Sequence, residues 1–197
     1  MDAVLFGLSG VILAPRSEAG RRAVERAAGA GDTARFWRAY AELRPDLEVG
    51  EVSDARWWQQ VGLRAGLADI DVYEAIAADA ASLASERRDM VDLLLELVDS
   101  GYAVGVIDNV PLGVATHVRE CHPWLAELDA VTFSCDIGVG KPDAAAYLVA
   151  LDAMGAKPGS TLYVDACDEW LAAAAALGVR TVRFTETTDL REDLTKP

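Results

Sequence analysis

The chain has 197 residues, 52% hydrophobic and 25% charged, a balance that suits one ordinary globular domain with a modest insertion and excludes disorder. Its 32 acidic against 18 basic residues leave a formal net charge of −14, a surface that repels phosphate backbones and anionic bilayers. Three cysteines (Cys121, Cys135, Cys167) without CxxC spacing, and two histidines, argue against a disulfide framework or a histidine-rich zinc site.

In chain order, "LFGLSGVIL" (5–13) reads as a buried strand entering a glycine-softened turn and leaving through Val11, Ile12 and Leu13. Asp2 stands where a leader needs basic residues, and Gly7, Ser9 and Gly10 cut the first apolar stretch, so neither a leader nor a spanning helix is expected, and the expected compartment is the cytoplasm. From about Ser17 to Ser85 the pattern is helical almost throughout. "ARFWRAYAEL" puts Phe36, Tyr40 and Leu43 on one face, and Ser53 stands ready to cap "DARWWQQVGLRAGL". Trp57 and Trp58 read as packing residues. "DVYEAIAADAASLA" closes this block.

Beyond Asp89 the pattern changes. The helix "MVDLLLELVDSG" leads into the strand "YAVGVID", and a Pro111 turn into a helix over roughly Leu112 to Cys121. "LDAVTFS", "STLYVD" and "VRTVRF" are strands; "DAAAYLVALDAMG" and "EWLAAAAALG" are helices. Strands alternating with such helices predict an α/β, doubly wound parallel sheet, with ligands outside the carboxyl ends of its strands. Those ends are Gly7–Ser9, Asp108–Asn109, Ser134–Lys141 and Asp165–Asp168, so four loops should meet at one crevice. The expected division is a core of residues 1–14 and 86–197 and a helical cap of residues 15–85 inserted after the first strand.

These segments resemble the haloacid dehalogenase (HAD) superfamily, in its small helical-cap form, over essentially the whole chain. "AVLFGLSGVIL" is similar to the first motif (LFDxDGVL), "EVGEVSDARWW" to the Gly-containing cap segment, and "GYAVGVIDNVP" to the second motif. "FSCDIGVGKPDAAAY" resembles the third motif, and "TLYVDACDEWLAAAAALGVRTVRF" the fourth. The resemblance implies a Rossmann-like core and a nucleophilic aspartate that also ligates Mg²⁺. It further implies a second aspartate as general acid/base, a phosphate-holding hydroxyl, and an acidic pair near the fourth strand.

The departures fall on those positions. Gly7 replaces the nucleophile and Ser9 the acid/base; Asp108 stands where the hydroxyl should be; Asp165 is followed by Ala166. Lys141 and Asp165 are retained in kind. Glycine supplies neither a nucleophile nor a hard oxygen ligand. The first reading is therefore a pseudoenzyme, a binding or regulatory module using the old crevice or the cap. The second is a phosphatase-like hydrolase with rearranged residues, built from Asp108, Lys141, Asp165 and Ser9; the third is a structural subunit of an enzyme complex. No catalytic residue is expected on the first reading. The ligand-binding candidates are Ser9, Asp108, Asn109, Lys141 and Asp165. Asp165 and Asp168 are weak metal candidates, although Asp168 and Glu169 better suit the first turn of a helix, where the dipole favours anions. No cofactor is expected, and Mg²⁺ enters only on the second reading. The expected partner is a small molecule or a protein, with self-association open and nucleic acid and membrane excluded. Ser9 as nucleophile lacks a nearby histidine to activate it. For Lys141, two readings stand: Asp108 replaces its lost carboxylate partner within about 4 Å, or Lys141 reaches water while Asp108 caps the helix after Pro111.

Overall fold

The computed structural model describes residues 2–185 and Leu190; the expected core extends to 197, and its positions 186–189 and 191–197 lie outside the described residues. Strand β1 (Ala3–Gly7) is followed by helices α1 (Glu18–Ala27), α2 (Thr33–Glu48), α3 (Asp54–Ala65) and α4 (Val72–Ser82). Helix α5 (Arg88–Asp99) then leads to β2 (Ala103–Asp108), α6 (Leu112–Cys121), β3 (Ala130–Phe133), the single turn α7 (Ser134–Ile137) and α8 (Ala144–Ala153). Strand β4 (Thr161–Asp165), helix α9 (Asp168–Ala176) and β5 (Arg180–Arg183) follow, with short 3-10 helices at Pro123–Glu127 and Pro158–Ser160 before β3 and β4.

The sheet is five-stranded and wholly parallel, in the order β3-β2-β1-β4-β5. Period-two alternation sorts each strand between two buried layers. Val4, Phe6, Val104, Val106 and Val164 face the layer that holds Leu94 of α5 and Val114 of α6. Ala3, Leu5, Ile107 and Tyr163 face Tyr147 and Leu151 of α8 and Leu171 of α9. Burial on both faces explains why β1, β2 and β4 read as largely apolar runs, whereas the edge strand β5 does not.

The cap helices begin at side-chain caps: Ser17, Asp32, Ser53 and Asp71 accept from the N–H of Gly20, Arg35, Arg56 and Glu74. Each such cap satisfies a helix donor that otherwise has no partner. A separate aromatic core holds the four helices together: Trp57 and Trp58, each 1% exposed, pack edge to face at 4.9 Å between ring centres, with Tyr40 against Trp57. Trp57 Nε1 donates to the Leu43 carbonyl at 2.8 Å. The chain leaves the core and returns to it through two paired segments, with Ala14 N–H donating to Ser85 O at 2.7 Å and Arg87 N–H to Ile12 O at 2.8 Å.

Candidate active site

Strand β1 lies at the centre of the sheet and ends at Gly7, flanked by the end of β2 at Asp108 and the end of β4 at Asp165. Across that end a buried bridge forms. Lys141 Nζ donates to Asp108 Oδ1 at 2.9 Å, to Asp165 Oδ2 at 3.0 Å and to the Ile107 carbonyl at 3.3 Å. Its side chain is 0% exposed, and the Trp170 ring covers it with the nitrogen 3.8 Å from the ring centre. The backbone carrying Lys141 is clamped by Asn109, whose amide accepts from Lys141 N–H at 2.7 Å and donates to Lys141 O at 2.8 Å.

Each carboxylate is held from a second side. Asp108 Oδ2 accepts from Ser9 N–H at 2.8 Å, so the turn after β1 anchors the acid on β2. Asp165 Oδ1 accepts from Cys167 N–H at 2.9 Å, and the Tyr163 hydroxyl donates to its Oδ2. Burial, reinforced by the charge of Asp165, pushes the Tyr163 phenol well above its ordinary range and keeps it a donor. Asp165 thereby occupies the space a side chain at position 7 would need: a Cβ on Gly7 would stand 2.3 Å from Asp165 Oδ2 and 2.9 Å from its Cγ. Glycine at position 7 is thus a packing requirement of this site.

Above the bridge lies a cleft of about 560 Å³ between core and cap. Its core wall is Ser9, Asp108, Asn109, Val110 and Trp170; its cap wall includes Arg16, Arg21, Trp37, Tyr40, Arg44 and Glu48. Arg16 and Arg44 both bind the buried Asp79 and the Tyr40 hydroxyl, which fixes their guanidinium groups at the cleft edge. Arg21 stacks on Trp37, 4.2 Å from its ring centre. Glu48, at the last turn of α2, pairs with Arg44 at 2.9 Å. Its backbone carbonyl accepts the Ser134 hydroxyl, which ties this end of the cap to the core. Burial, with a further contribution from the charge of Asp108, raises the Glu48 carboxyl above the usual carboxylate range, although Arg44 and Lys141 oppose the shift. A carboxyl tuned upward beside a second carboxylate is the arrangement that separates a proton donor from a nucleophile or base.

The structure therefore sorts the sequence candidates. Ser9, Asp108 and Asn109 line the cleft, Asp108 with only 1% of its surface exposed; Lys141 and Asp165, bonded to it or through it in the buried bridge, are not among the lining residues. Lys141 does not reach water, and no side chain caps α6 at Pro111. Asp168 does not join Asp165: its side chain is 70% exposed and pairs with Arg183 at 3.1 Å, in the first turn of α9. His117 pairs with Cys121, and His122 with Glu86 at 3.2 Å, away from Ser9. Glu48 was missed as a site residue, although it opens the cap segment "EVGEVSDARWW". Its raised proton affinity arises only where cap meets core.

The donor set does not fit Mg²⁺. Position 7 carries no ligand, both oxygens of Asp165 are engaged by an ammonium, a hydroxyl and an amide, and Ala166 adds none. Among the described residues no group of three His, Cys, Asp or Glu side chains is placed to hold a metal ion.

Residues 1–178 match the family model described as haloacid dehalogenase-like hydrolase, and the chain belongs to that family. A curated relative, the sesquiterpene phosphatase astK of Aspergillus oryzae, is 27% identical over 146 residues, 74% of each chain. Among solved structures, the HAD family enzyme bt-2542 of Bacteroides thetaiotaomicron superposes with a TM-score of 0.84 at 18% identity, covering 100% of this chain and 99% of that one. The same enzyme in complex with magnesium and inorganic phosphate gives 0.80 at 17% identity, with both chains covered in full. A HAD phosphatase from Thermococcus onnurineus gives 0.69 at 21%, covering 99% and 98%. At these identities the structures speak for the fold.

The expectation of a pseudoenzyme is overturned by these findings: the matching family is one of hydrolases and the curated relative is a phosphatase. The loss at position 7 does not empty the crevice of carboxylates. A carboxylate absent from β1 is matched by one at the end of the adjacent strand β2, held by Lys141 in the same crevice.

Proposed function

We propose that the chain is a hydrolase of phosphate monoesters whose reacting carboxylate has moved from the end of β1 to Asp108 at the end of β2. The observation that carries this reading is the setting of Asp108, fixed by Lys141 and the Ser9 N–H on the floor of the cleft, with the protonatable Glu48 on the opposing cap wall. An Asp108 carboxylate oxygen attacks phosphorus, and the bond from phosphorus to the ester oxygen breaks. The leaving alkoxide takes the Glu48 proton and departs as the alcohol, leaving an acyl phosphate on Asp108. A water molecule then attacks phosphorus as Glu48 accepts its proton, and inorganic phosphate leaves with both carboxyl groups restored. No step runs through a metal ion.

Asp108 as an anion meeting an anion needs positive potential nearby, and Arg16, Arg21 and Arg44 supply it from the cap wall of an otherwise acidic protein. Trp37, Tyr40, Val110 and Trp170 offer apolar surface for the alcohol portion of the ester. A relative that is a sesquiterpene phosphatase supports an ester with an apolar body over a sugar phosphate. Three free thiols support a reducing, cytoplasmic setting, and no helix among the described residues is long and apolar enough to cross a membrane.

The test is release of inorganic phosphate from prenyl and alkyl monophosphates, with sugar phosphates for comparison. Asp108→Asn should lower kcat by about 10³-fold or more. No release from any ester, or full activity in that variant, overturns the proposal.

A further inference from the structure

The misfit between this centre and Mg²⁺ has a specific structural cause. An ammonium donates three hydrogen bonds and accepts none. All three of those from Lys141 are used, by Asp108 Oδ1, Asp165 Oδ2 and Ile107 O, so none remains for a substrate oxygen. The nitrogen is fully buried, with carboxylates from β2 and β4 on either side of the vacated end of β1. Asp165, drawn toward Lys141 and Tyr163, fills the volume that a ligand side chain at position 7 would require.

We infer that the Lys141 ammonium is the resident cation of this centre, a positioning residue that neutralises Asp108 and Asp165 in place of a divalent ion and makes the site independent of Mg²⁺. This rests on the proposed reaction only for the use Asp108 is put to; what binds between the two acids can be read without turnover. Removing the ammonium leaves two carboxylates buried without their counter-charge. Two hard anionic oxygens and a carbonyl then surround a space that suits a small divalent cation. The chain would change from a protein that ignores Mg²⁺ to one that binds it.

The experiment titrates MgCl₂ into the full chain after removal of adventitious metal, followed by calorimetry and by Tm, in wild type, Asp165→Asn, Lys141→Met and Lys141→Met/Asp165→Asn. Wild type should show no saturable Mg²⁺ site and no rise in Tm, and any phosphate release should be unchanged by EDTA. Lys141→Met should start with a lower Tm and recover roughly 3–6 °C at tenfold excess over Kd. The Asp165→Asn change should abolish that recovery, which separates a local site from diffuse attraction to an acidic surface. Saturable Mg²⁺ binding by wild type that Asp165→Asn removes overturns the inference. So does a folded Lys141→Met chain that fails to bind the ion; should that variant not fold, the wild-type titration decides alone. Wild type that neither binds Mg²⁺ nor turns over any ester would refute the proposed reaction while leaving the assignment of the cation intact.

Discussion

Asp108→Asn probes the bridge with a nearly isosteric change. In the wild type, Asp108 accepts on both oxygens, from Lys141 Nζ at 2.9 Å and from Ser9 N–H at 2.8 Å. An amide offers one oxygen. Whichever way it turns, its NH₂ faces either the ammonium or the backbone N–H, both donors, in a place 1% exposed. One buried donor left without an acceptor costs about 1–3 kcal/mol. Lys141 also loses one of its two counter-charges. Because Asp165 remains at 3.0 Å, the ammonium is not fully stranded, and the roughly 3–5 kcal/mol of a broken buried pair is an upper bound. The expected loss is about 2–4 kcal/mol, or roughly 4–16 °C in Tm for a chain of this length. Asp143→Asn is the control. Asp143 caps α8 by accepting Ala145 N–H at 2.8 Å, and asparagine caps as well as aspartate, so the change should stay within about 0.5 kcal/mol. Urea unfolding of both variants, checked for an unchanged slope, measures the difference. Equal midpoints, or a larger loss in Asp143→Asn, would refute the idea that Asp108 and Lys141 form a tightly satisfied buried pair.

Gly7→Ala should destabilise by about 1–3 kcal/mol in thermal or urea unfolding, because its Cβ meets an Asp165 held on both oxygens. For the same reason Gly7→Asp with Ser9→Asp, which rewrites the family's first motif, should yield a less stable chain with no gain in phosphate release. Glu48 binds its proton more tightly in the folded chain than in the unfolded one. The stability this contributes is complete below the ordinary carboxylate range and is lost as pH rises through the raised value, so urea midpoints of wild type should fall relative to Glu48→Gln over that window. If Glu48 is the proton donor, the same substitution should remove the alkaline limb of the pH–rate profile. In the cap, Asp79 is the only carboxylate that binds both Arg16 and Arg44 among the described residues. Asp79→Ala should cost about 3–5 kcal/mol, seen as early loss of tryptophan fluorescence from the Trp57–Trp58 core.

Much of the architecture was legible because it is written in local chemistry. Apolar strand runs, capped helices and the order of the motifs sufficed for the parallel sheet and the crevice at its carboxyl ends. The empty position at Gly7, the retained Lys141 and the acid at Asp108 could all be read from single letters. What those letters could not convey was how the vacancy is filled. Asp165 turns into the space beside Gly7 only because β4 lies next to β1 and Tyr163 and Lys141 hold it there. Glu48 gains its raised proton affinity only where the end of α2 is pressed toward Asp108 and out of water. Both effects depend on burial and on the charges of residues distant in sequence, which are set by the packing of cap on core and not by local propensity. Composition and motif spacing determined which groups are present; the tertiary structure decided which of them bond to one another, which share a cation and which face the cleft.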